Sequence, residues 1–317
     1  MNIISTKDFS PENLGYFFDK TTEMRRLDNG TLDERRELAS RHLGRQMYSL
    51  FYEPSTRTRS SFGLAAAKLG IGKDQTENAK EFSSAAKGET LEDTIQMFNN
   101  YHVDALVIRH PETGAAARAA AVAADHMAII NAGDGKGEHP TQALLDSYTI
   151  YEHFGRLNDL SVTIGGDLRQ GRTARSLARL LALYPGNDVT FVSTPSFRIA
   201  DDIKQELTQA GTSFRESDNV HDSVRQADVV YWTRLQKERF DPGESMQDEE
   251  FVIDQNVLDV MNQKAIIIHP LPRVGEITTD VDRDPRALYF RQAGNGLYAR
   301  MALLDYLMVQ KSSLHTS

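Results

Sequence analysis

The residues best suited to chemistry in this chain are hydroxyl and guanidinium side chains gathered at one junction. Residues 51–59 read FYEPSTRTR, in which hydroxyl residues alternate with Arg57 and Arg59. The first turn of a helix leaves backbone N–H groups unpaired, and these groups bind phosphate with help from the helix dipole. Guanidinium groups bind phosphate or carboxylate in a bidentate manner. The junction predicts a small-anion site, although a lone Ser-Thr-Arg is more often an ordinary capped helix.

A strand and a helix are predicted to hold this junction. Residues 45–52 contain an apolar run, and apolar residues recur at helical spacing through 62–69. Pro54 suits the start of a helix, because it lacks the backbone donor that a first turn leaves unused. The side chains of Ser55 and Thr56 are expected to cap the free N–H groups of that turn.

Strand and helix patterns alternate along the rest of the chain, which is typical of a parallel sheet flanked by helices. The predicted strands are 45–52, 104–109, 127–131, 160–165, 188–193, 227–233 and 264–269. Two polar stretches, 73–88 and 235–250, are predicted to be long loops. A chain of 317 residues is long enough for two domains. We therefore expect an α/β fold with two domains, each a mainly parallel β-sheet flanked by helices.

Composition excludes several classes of function. The net charge is −9, so the surface as a whole would repel nucleic acid and anionic membranes, and neither is expected as a partner. The chain has no cysteine, which excludes disulfides, thiolate zinc sites and cysteine nucleophiles. No apolar run has the length of a signal peptide or a transmembrane helix. A cytoplasmic protein without a metal or other cofactor is expected.

Polar residues recur where the predicted strands end. In open α/β sheets, ligands bind beyond the carboxyl ends of the strands. Arg109 follows a strand of the first half, and Arg172 and Arg234 follow strands of the second. One such arginine is more often a surface residue, but the recurrence favours a polyanionic ligand bound between the domains. A nucleotide-dependent oxidoreductase is a rival interpretation, but residues 165–167 lack the G-x-G-x-x-G spacing.

The order of these motifs resembles the aspartate/ornithine carbamoyltransferase family. The matching segments are FYEPSTRTR (51–59), SSAAKGET (83–90), VIRHP (107–111), HPTQALLD (139–146), GDLRQGRTARSL (166–177), TRLQKERFDP (233–242), HPLPRVGEI (269–277) and QAGNGLYARMALL (292–304). The resemblance implies a carbamoyl phosphate-binding domain at 1–150 and an aspartate-binding domain at 151–291, with the active site in the interdomain cleft. It also implies that a C-terminal helix, about 292–317, packs back on the first domain.

The resemblance implies transfer of the carbamoyl group of carbamoyl phosphate to the α-amine of L-aspartate, which gives N-carbamoyl-L-aspartate and phosphate in de novo pyrimidine biosynthesis. Carbamoyl phosphate would be bound by Ser55, Thr56, Arg57, Thr58, Arg109, His139, Gln142 and the backbone carbonyls of Leu271 and Pro272. The implied catalytic residues are Arg57, Thr58, Arg109 and His139. Such donors favour the negative charge that grows in a tetrahedral transition state.

Aspartate brings two further carboxylates. The resemblance assigns Arg172 to the α-carboxylate, and Arg234 and Gln236 to the β-carboxylate. A site built from guanidinium groups should reject a cationic side chain. The ornithine branch typically has His-Cys-Leu-Pro where this chain has His-Pro-Leu-Pro at 269–272. Both features favour aspartate over ornithine as the acceptor.

The resemblance also implies a homotrimer with shared active sites. Ser83 and Lys87 would reach the site of an adjacent subunit, whereas composition alone suggests an ordinary surface loop. Glu53 would pair with Arg172 and Arg239 when the domains close around both substrates. Association with a regulatory chain or with dihydroorotase is left open.

Two positions depart from the family pattern. Gly275 stands where a carboxylate or amide is expected, and Gln170 replaces a frequent aromatic residue. Neither removes the main charge of a motif, so an effect on affinity is expected rather than a loss of activity. Two alternatives remain open, namely a carbamoyltransferase for another acceptor and a non-catalytic homologue that acts as a scaffold.

Overall fold

The computed structural model describes residues 1–82, 88–234 and 251–312. Contacts divide the chain into two compact units. The first comprises Met1–Leu144 and the segment that begins at Gly294, and the second comprises Leu145–Ala293.

The first unit is built on a four-stranded parallel sheet. Its strands are β1 (Gln46–Phe51), β2 (Gly72–Thr76), β3 (Ala105–His110) and β4 (Ala128–Asp134), in the order β2-β1-β3-β4. Its helices are α1 (Pro11–Asp28), α2 (Leu32–Ser40), α3 (Thr56–Lys68), α4 (Ala79–Phe82), α5 (Leu91–Asn100), α6 (Ala115–Val122) and the start of α7 (Pro140–Phe154). Strands β3 and β4 are almost wholly buried, which explains their continuous apolar sequences.

The second unit is built on a five-stranded parallel sheet. Its strands are β5 (Ser161–Gly165), β6 (Asp188–Val192), β7 (Ser213–Ser217), β8 (Val229–Trp232) and β9 (Ile266–Ile268), in the order β7-β6-β5-β8-β9. Its helices are α8 (Arg172–Leu181), α9 (Asp201–Gln209), α10 (Val220–Val224), α11 (Gln255–Val260) and the start of α12 (Tyr289–Ser312). The prediction of two parallel sheets flanked by helices is confirmed.

The polar stretch 73–88 is not a single long loop, so that prediction was wrong. It contributes most of β2 and all of α4. Strand β2 lies at the edge of its sheet and pairs only with β1, and its three central residues are exposed. A strand exposed on both faces needs no apolar residues, so its sequence resembles a loop. The other polar stretch, 235–250, lies outside the described residues.

Within the part of the chain that the structure describes, no helix has both the length and the apolar character needed to cross a membrane.

Candidate active site

In the first unit, three neighbouring strand ends bring the predicted anion-binding residues together. Strands β1, β3 and β4 are parallel, so their carboxyl ends meet at one edge of the sheet. The Tyr52 N–H donates to the Arg109 carbonyl at 2.8 Å, and the Gly135 N–H donates to the His110 carbonyl at 2.9 Å. The 51–59 junction therefore lies beside Arg109, and Arg109 lies beside the loop that leads to His139.

The junction after β1 leads into helix α3, which begins at Thr56 with Ser55 as its N-cap. Thr58 is buried in the first turn, whereas Thr56 and Arg57 are exposed. The predicted side-chain cap from Ser55 was wrong, because its hydroxyl makes no cap hydrogen bond. The ψ angle of Ser55 is 87°, short of the extended conformation typical of a capping serine. The Ser55 N–H donates instead to Glu77 Oε1, at 3.1 Å.

Two carboxylates orient the arginines of this edge. Glu77 Oε2 lies 2.9 Å from Arg59 Nη2, and Glu53 Oε2 lies 3.4 Å from Arg109 Nε. Sequence reasoning missed Glu77, because the strand β2 that precedes it was interpreted as loop. Glu53 was expected to pair with two other arginines, of which Arg239 lies outside the described residues. Partly exposed pairs of this kind add little stability, so their main effect is to fix the direction of the guanidinium groups.

The loop after β4 holds His139 in a buried position, with 4% of the residue exposed. Asp134 anchors this loop, because its Oδ1 accepts the Glu138 N–H at 2.9 Å and its Oδ2 accepts the Gly114 N–H at 2.8 Å. Glu138 in turn accepts hydrogen bonds from the Thr6 N–H and hydroxyl, at 2.6 and 2.7 Å. Sequence reasoning missed both carboxylates, although the glycine-rich spacing around them is a signal of a tight turn.

His139 and Gln142 lie at the start of helix α7. The Gln142 N–H donates to the His139 carbonyl at 3.0 Å, and the Thr141 hydroxyl lies 3.5 Å from His139 Nδ1. Gln142 is also buried. The two side chains therefore start from one rigid turn, at the same sheet edge as Arg109.

In the second unit, the arginines predicted to bind carboxylates lie at the ends of adjacent strands. Arg172 is the first residue of α8 and is 7% exposed, and Arg234 comes two residues after β8. Strands β5 and β8 are paired, and the Thr233 N–H donates to the Gly165 carbonyl at 2.9 Å. This edge of the second sheet therefore contains two arginines, whose guanidinium groups are suited to binding carboxylates.

Gly166 allows the two arginine-bearing segments to approach each other. Its φ angle is +103°, a conformation that L side chains rarely adopt. A Cβ added at this position would lie 2.1 Å from the Thr233 carbonyl oxygen. Only glycine fits between the end of β5 and the backbone that leads to Arg234.

The structure shows the surroundings of the two residues that depart from the family pattern, Gln170 and Gly275. Gln170 is 5% exposed and lies in the turn before α8, where its N–H donates to Asp167 Oδ1 at 2.9 Å. Gly275 has a φ angle of +112°, which favours glycine, and a Cβ added there would meet no atom within 4 Å.

Leu271 and Pro272 follow β9, the neighbour of β8 at this end of the sheet. The structure joins them by a cis peptide bond. Four other predicted site residues lie outside the described part of the chain, namely Ser83, Lys87, Gln236 and Arg239. Among the described residues, no group of three or more His, Asp or Glu side chains could hold a metal ion.

Two family models together match most of the chain. The model described as "Aspartate/ornithine carbamoyltransferase, carbamoyl-P binding domain" matches residues 1–152, and the model for the "Asp/Orn binding domain" matches residues 158–307. The chain is 50% identical over 313 residues to the chloroplastic aspartate carbamoyltransferase of Arabidopsis thaliana. The matched region covers 97% of this chain and 78% of the relative.

Solved structures agree with these matches. The catalytic subunit of M. Jannaschii aspartate transcarbamoylase superposes with a TM-score of 0.87 at 40% identity, over 98% of both chains. Aspartate transcarbamoylase from Trypanosoma cruzi, in complex with carbamoyl phosphate and aspartate, also gives a TM-score of 0.87, at 36% identity over 96% of this chain and 95% of that chain.

Proposed function

This chain belongs to the aspartate/ornithine carbamoyltransferase family, and we propose on that premise which of its residues bind each substrate. The chain is an enzyme that transfers the carbamoyl group of carbamoyl phosphate to L-aspartate, a step of pyrimidine biosynthesis. The observation that supports the residue assignment best is the placement of the candidate residues. The side-chain donors proposed for carbamoyl phosphate cluster at three strand ends of the first unit, and Arg172 and Arg234, proposed for aspartate, follow two paired strands of the second.

The phosphate group of carbamoyl phosphate binds to donors at the start of α3. The N-terminus of α3, with Ser55, Thr56, Arg57 and Thr58, binds the phosphate group through N–H, hydroxyl and guanidinium donors. Arg109 contacts both the phosphate and the carbonyl oxygen, and its neighbour Glu53 keeps its guanidinium in place.

The carbonyl group is polarised by Thr58, Arg109 and His139. The α-amine of aspartate attacks the carbonyl carbon, a C–N bond forms, the bond from carbon to the phosphate oxygen breaks, and the departing phosphate takes the proton that the amine loses. Negative charge grows on the carbonyl oxygen during this step, where fixed donors in a buried setting are most effective. The burial of His139 on a rigid turn suits a positioned donor better than a general base. Gln142, together with the carbonyls of Leu271 and Pro272, binds the carbamoyl amino group.

Aspartate binds through its two carboxylates. Arg172, nearly buried at the start of α8, binds the α-carboxylate, and Arg234 and Gln236 bind the β-carboxylate. This assignment predicts that Arg234→Ala raises the KM for aspartate by about 10²-fold, since a charge-assisted bidentate contact is lost. The affinity for carbamoyl phosphate, measured without aspartate, should not change. Loss of carbamoyl phosphate binding in a folded variant would contradict the division of the site.

The active species is a homotrimer in which Ser83 and Lys87 complete the site of an adjacent subunit. Mixing inactive Lys87→Ala subunits with inactive Arg57→Ala subunits tests this proposal. In hybrid trimers some sites combine an intact Arg57 from one chain with an intact Lys87 from the next. Random exchange at equal amounts should restore activity in about a quarter of the sites. A mixture that exchanges subunits and stays inactive would show that each chain builds its own site.

The cytoplasm is the compartment that we propose, with the absence of cysteine as support. The Arabidopsis relative is chloroplastic by name, so a plastid location is the outcome that would contradict this part of the proposal. Association with a regulatory chain or with dihydroorotase would change the mass of the assembly. Analytical ultracentrifugation of natively purified protein distinguishes these assemblies from a bare trimer.

A further inference from the structure

The loop that follows β9 is fixed by side chains at three of its backbone donors. The His269 N–H donates to Gln292 Oε1 at 2.7 Å, and the Leu271 N–H donates to His269 Nδ1 at 2.7 Å. The Val274 N–H donates to Glu276 Oε2 at 2.9 Å. Such a loop has little freedom to change the direction of its carbonyl groups.

The hydrogen bonds of His269 define its tautomer. Because Nδ1 accepts the Leu271 N–H, the ring proton is on Nε2, and Nε2 donates to Glu276 Oε1 at 2.8 Å. The side chains of His269 and Glu276 are 1% and 9% exposed. Burial alone would raise the pKa of Glu276, but hydrogen bonds from His269 and from the Val274 N–H outweigh it and lower the pKa below its ordinary value. Glu276 therefore acts as the acceptor that orients the imidazole.

The support behind His269 continues into the core of the second unit. Gln292 Nε2 donates to Asp146 Oδ1 at 2.5 Å, and the Tyr231 hydroxyl donates to Asp146 Oδ2 at 2.9 Å. Asp146 and Tyr231 are fully buried, and burial raises the pKa of Tyr231 well above its ordinary value, so its hydroxyl stays a donor. The orientation of Gln292 is fixed by this carboxylate, which leaves its carbonyl oxygen for the His269 N–H.

The backbone held in this way is strained at Leu271. Its φ angle is +54°, a left-handed value that is unfavourable for a residue with a side chain. Strain of this kind persists only where the surroundings impose it, and it is frequent at ligand-binding sites. The hydrogen bond from the Leu271 N–H to His269 Nδ1 holds this same residue.

The first unit contains the same local arrangement. There the Glu112 N–H donates to Nδ1 of His110, again across a proline and again at the end of a strand. In both places Nδ1 of a histidine accepts the N–H of the residue two positions ahead. The intervening proline has no N–H and cannot donate in its place. The recurrence indicates that the His-Pro dipeptide is used as a means of fixing the turn.

We propose that His269, oriented by Glu276 and Gln292, is a positioning residue that aims the backbone carbonyls of Leu271 and Pro272 at the carbamoyl amino group of carbamoyl phosphate. This inference rests on the proposed function, because it takes those two carbonyls as part of the substrate site. It adds residues that do not touch the substrate and act through the loop.

Three substitutions of His269 separate positioning from a merely structural role. Asparagine places an amide oxygen close to the position of Nδ1 and keeps an acceptor for the Leu271 N–H. Glutamine reaches instead toward the position of Nε2, and phenylalanine keeps the ring without any acceptor. Only the asparagine variant should therefore retain the turn. His221→Phe, at an exposed site on α10 of the same unit, is the matched control.

The affinities of the full-length variants for carbamoyl phosphate and for inorganic phosphate are measured by titration calorimetry. For H269Q and H269F we expect carbamoyl phosphate affinity to fall about 10- to 100-fold, the range found when a residue that orients a metal ligand is lost. Inorganic phosphate affinity should be unchanged, because phosphate binds at α3. H269N should lose much less than H269Q. The wild type and H221F should have equal affinities.

Equal carbamoyl phosphate affinity in all variants would overturn the proposal, and so would an equal loss in H269N and H269Q. A parallel loss of phosphate affinity would also overturn it, because it would indicate a general structural defect. The proposed function is checked separately, by turnover of the wild-type enzyme with aspartate. Absence of that turnover would overturn the proposed function, whereas normal turnover with an unaffected H269Q would overturn only the positioning role.

Discussion

Replacing Gly166 by alanine tests whether close backbone approach positions the arginines proposed to bind aspartate. At a φ angle of +103° an alanine costs about 1–3 kcal/mol of strain. The new Cβ would also lie 2.1 Å from the Thr233 carbonyl oxygen, whereas real Cβ atoms stay beyond 3.0 Å. Overpacking of this kind costs about 1–3 kcal/mol more. We therefore expect a loss of about 2–6 kcal/mol in the free energy of unfolding.

The clash must also move the backbone beside Arg234. Relief requires Thr233 to shift by about 1 Å, and a shift of that size in a functional group can cost about 10²-fold in catalytic efficiency. Because Arg234 is proposed to bind aspartate, the KM for aspartate should rise while carbamoyl phosphate affinity changes little. Gly211→Ala is the matched control, since Gly211 also has a positive φ, +72°, but a Cβ there would meet no atom within 4 Å.

The chain contains an intrinsic fluorescent probe of its unfolding. Its single tryptophan, Trp232, is fully buried and directly precedes Thr233. Urea unfolding followed by Trp232 fluorescence gives the stability of both variants, and aspartate saturation curves give their kinetics. If G166A and G211A lose the same stability and keep the same KM for aspartate, the close approach at Gly166 has no role in positioning Arg234.

Three further predictions concern single side chains. Arg57→Ala should lower kcat by about 10²-fold or more with an unchanged urea midpoint, because Arg57 is exposed and its proposed role is in transition-state binding; a fully active variant would contradict that role. Tyr231→Phe should cost about 1–3 kcal/mol, because the buried Asp146 loses a donor, and an unchanged urea midpoint would argue against this hydrogen bond. The lowered pKa of Glu276 means that its ionised form stabilises the native state above the ordinary pKa of 4.5, and that this contribution is lost as the pH falls through the lower native value. The stability difference between wild type and Glu276→Gln should therefore be constant at neutral pH and shrink below about pH 4.5; a difference independent of pH would exclude the charge as its source.

The buried strands could be predicted from the sequence, but the polar edge strands β2 and β7 could not. Strands β3, β4, β5 and β8 are almost wholly buried, so their apolar runs are unmistakable. Strand β2 has the sequence GKDQT and β7 has SFRES, and each pairs with one neighbour only. Their position depends on backbone pairing with a neighbour, which leaves no periodic pattern of apolar residues.

The charged residues of the site were easier to predict than the residues that support them. Arg109 is the penultimate residue of β3, and Arg172 and Arg234 follow β5 and β8; the ends of these strands can be recognised in the sequence, so the place of the arginines at the sheet edge follows from the alternation of strands and helices. Glu77 and Glu138 act on the site through contacts with residues distant in sequence, such as Arg59 and Thr6. Contacts of that kind depend on tertiary packing, and the local sequence carries no signal for them.

The reaction itself is tested most directly by the choice of acceptor. Purified enzyme is supplied with carbamoyl phosphate and either L-aspartate or L-ornithine, and the carbamoylated product is identified by mass spectrometry while phosphate release is followed. We predict N-carbamoyl-L-aspartate with a matching amount of phosphate, and no product with ornithine, because the arginines proposed to bind the acceptor carboxylates repel a cationic side chain. Turnover of ornithine, or no turnover of aspartate by the folded protein, would contradict the assigned function.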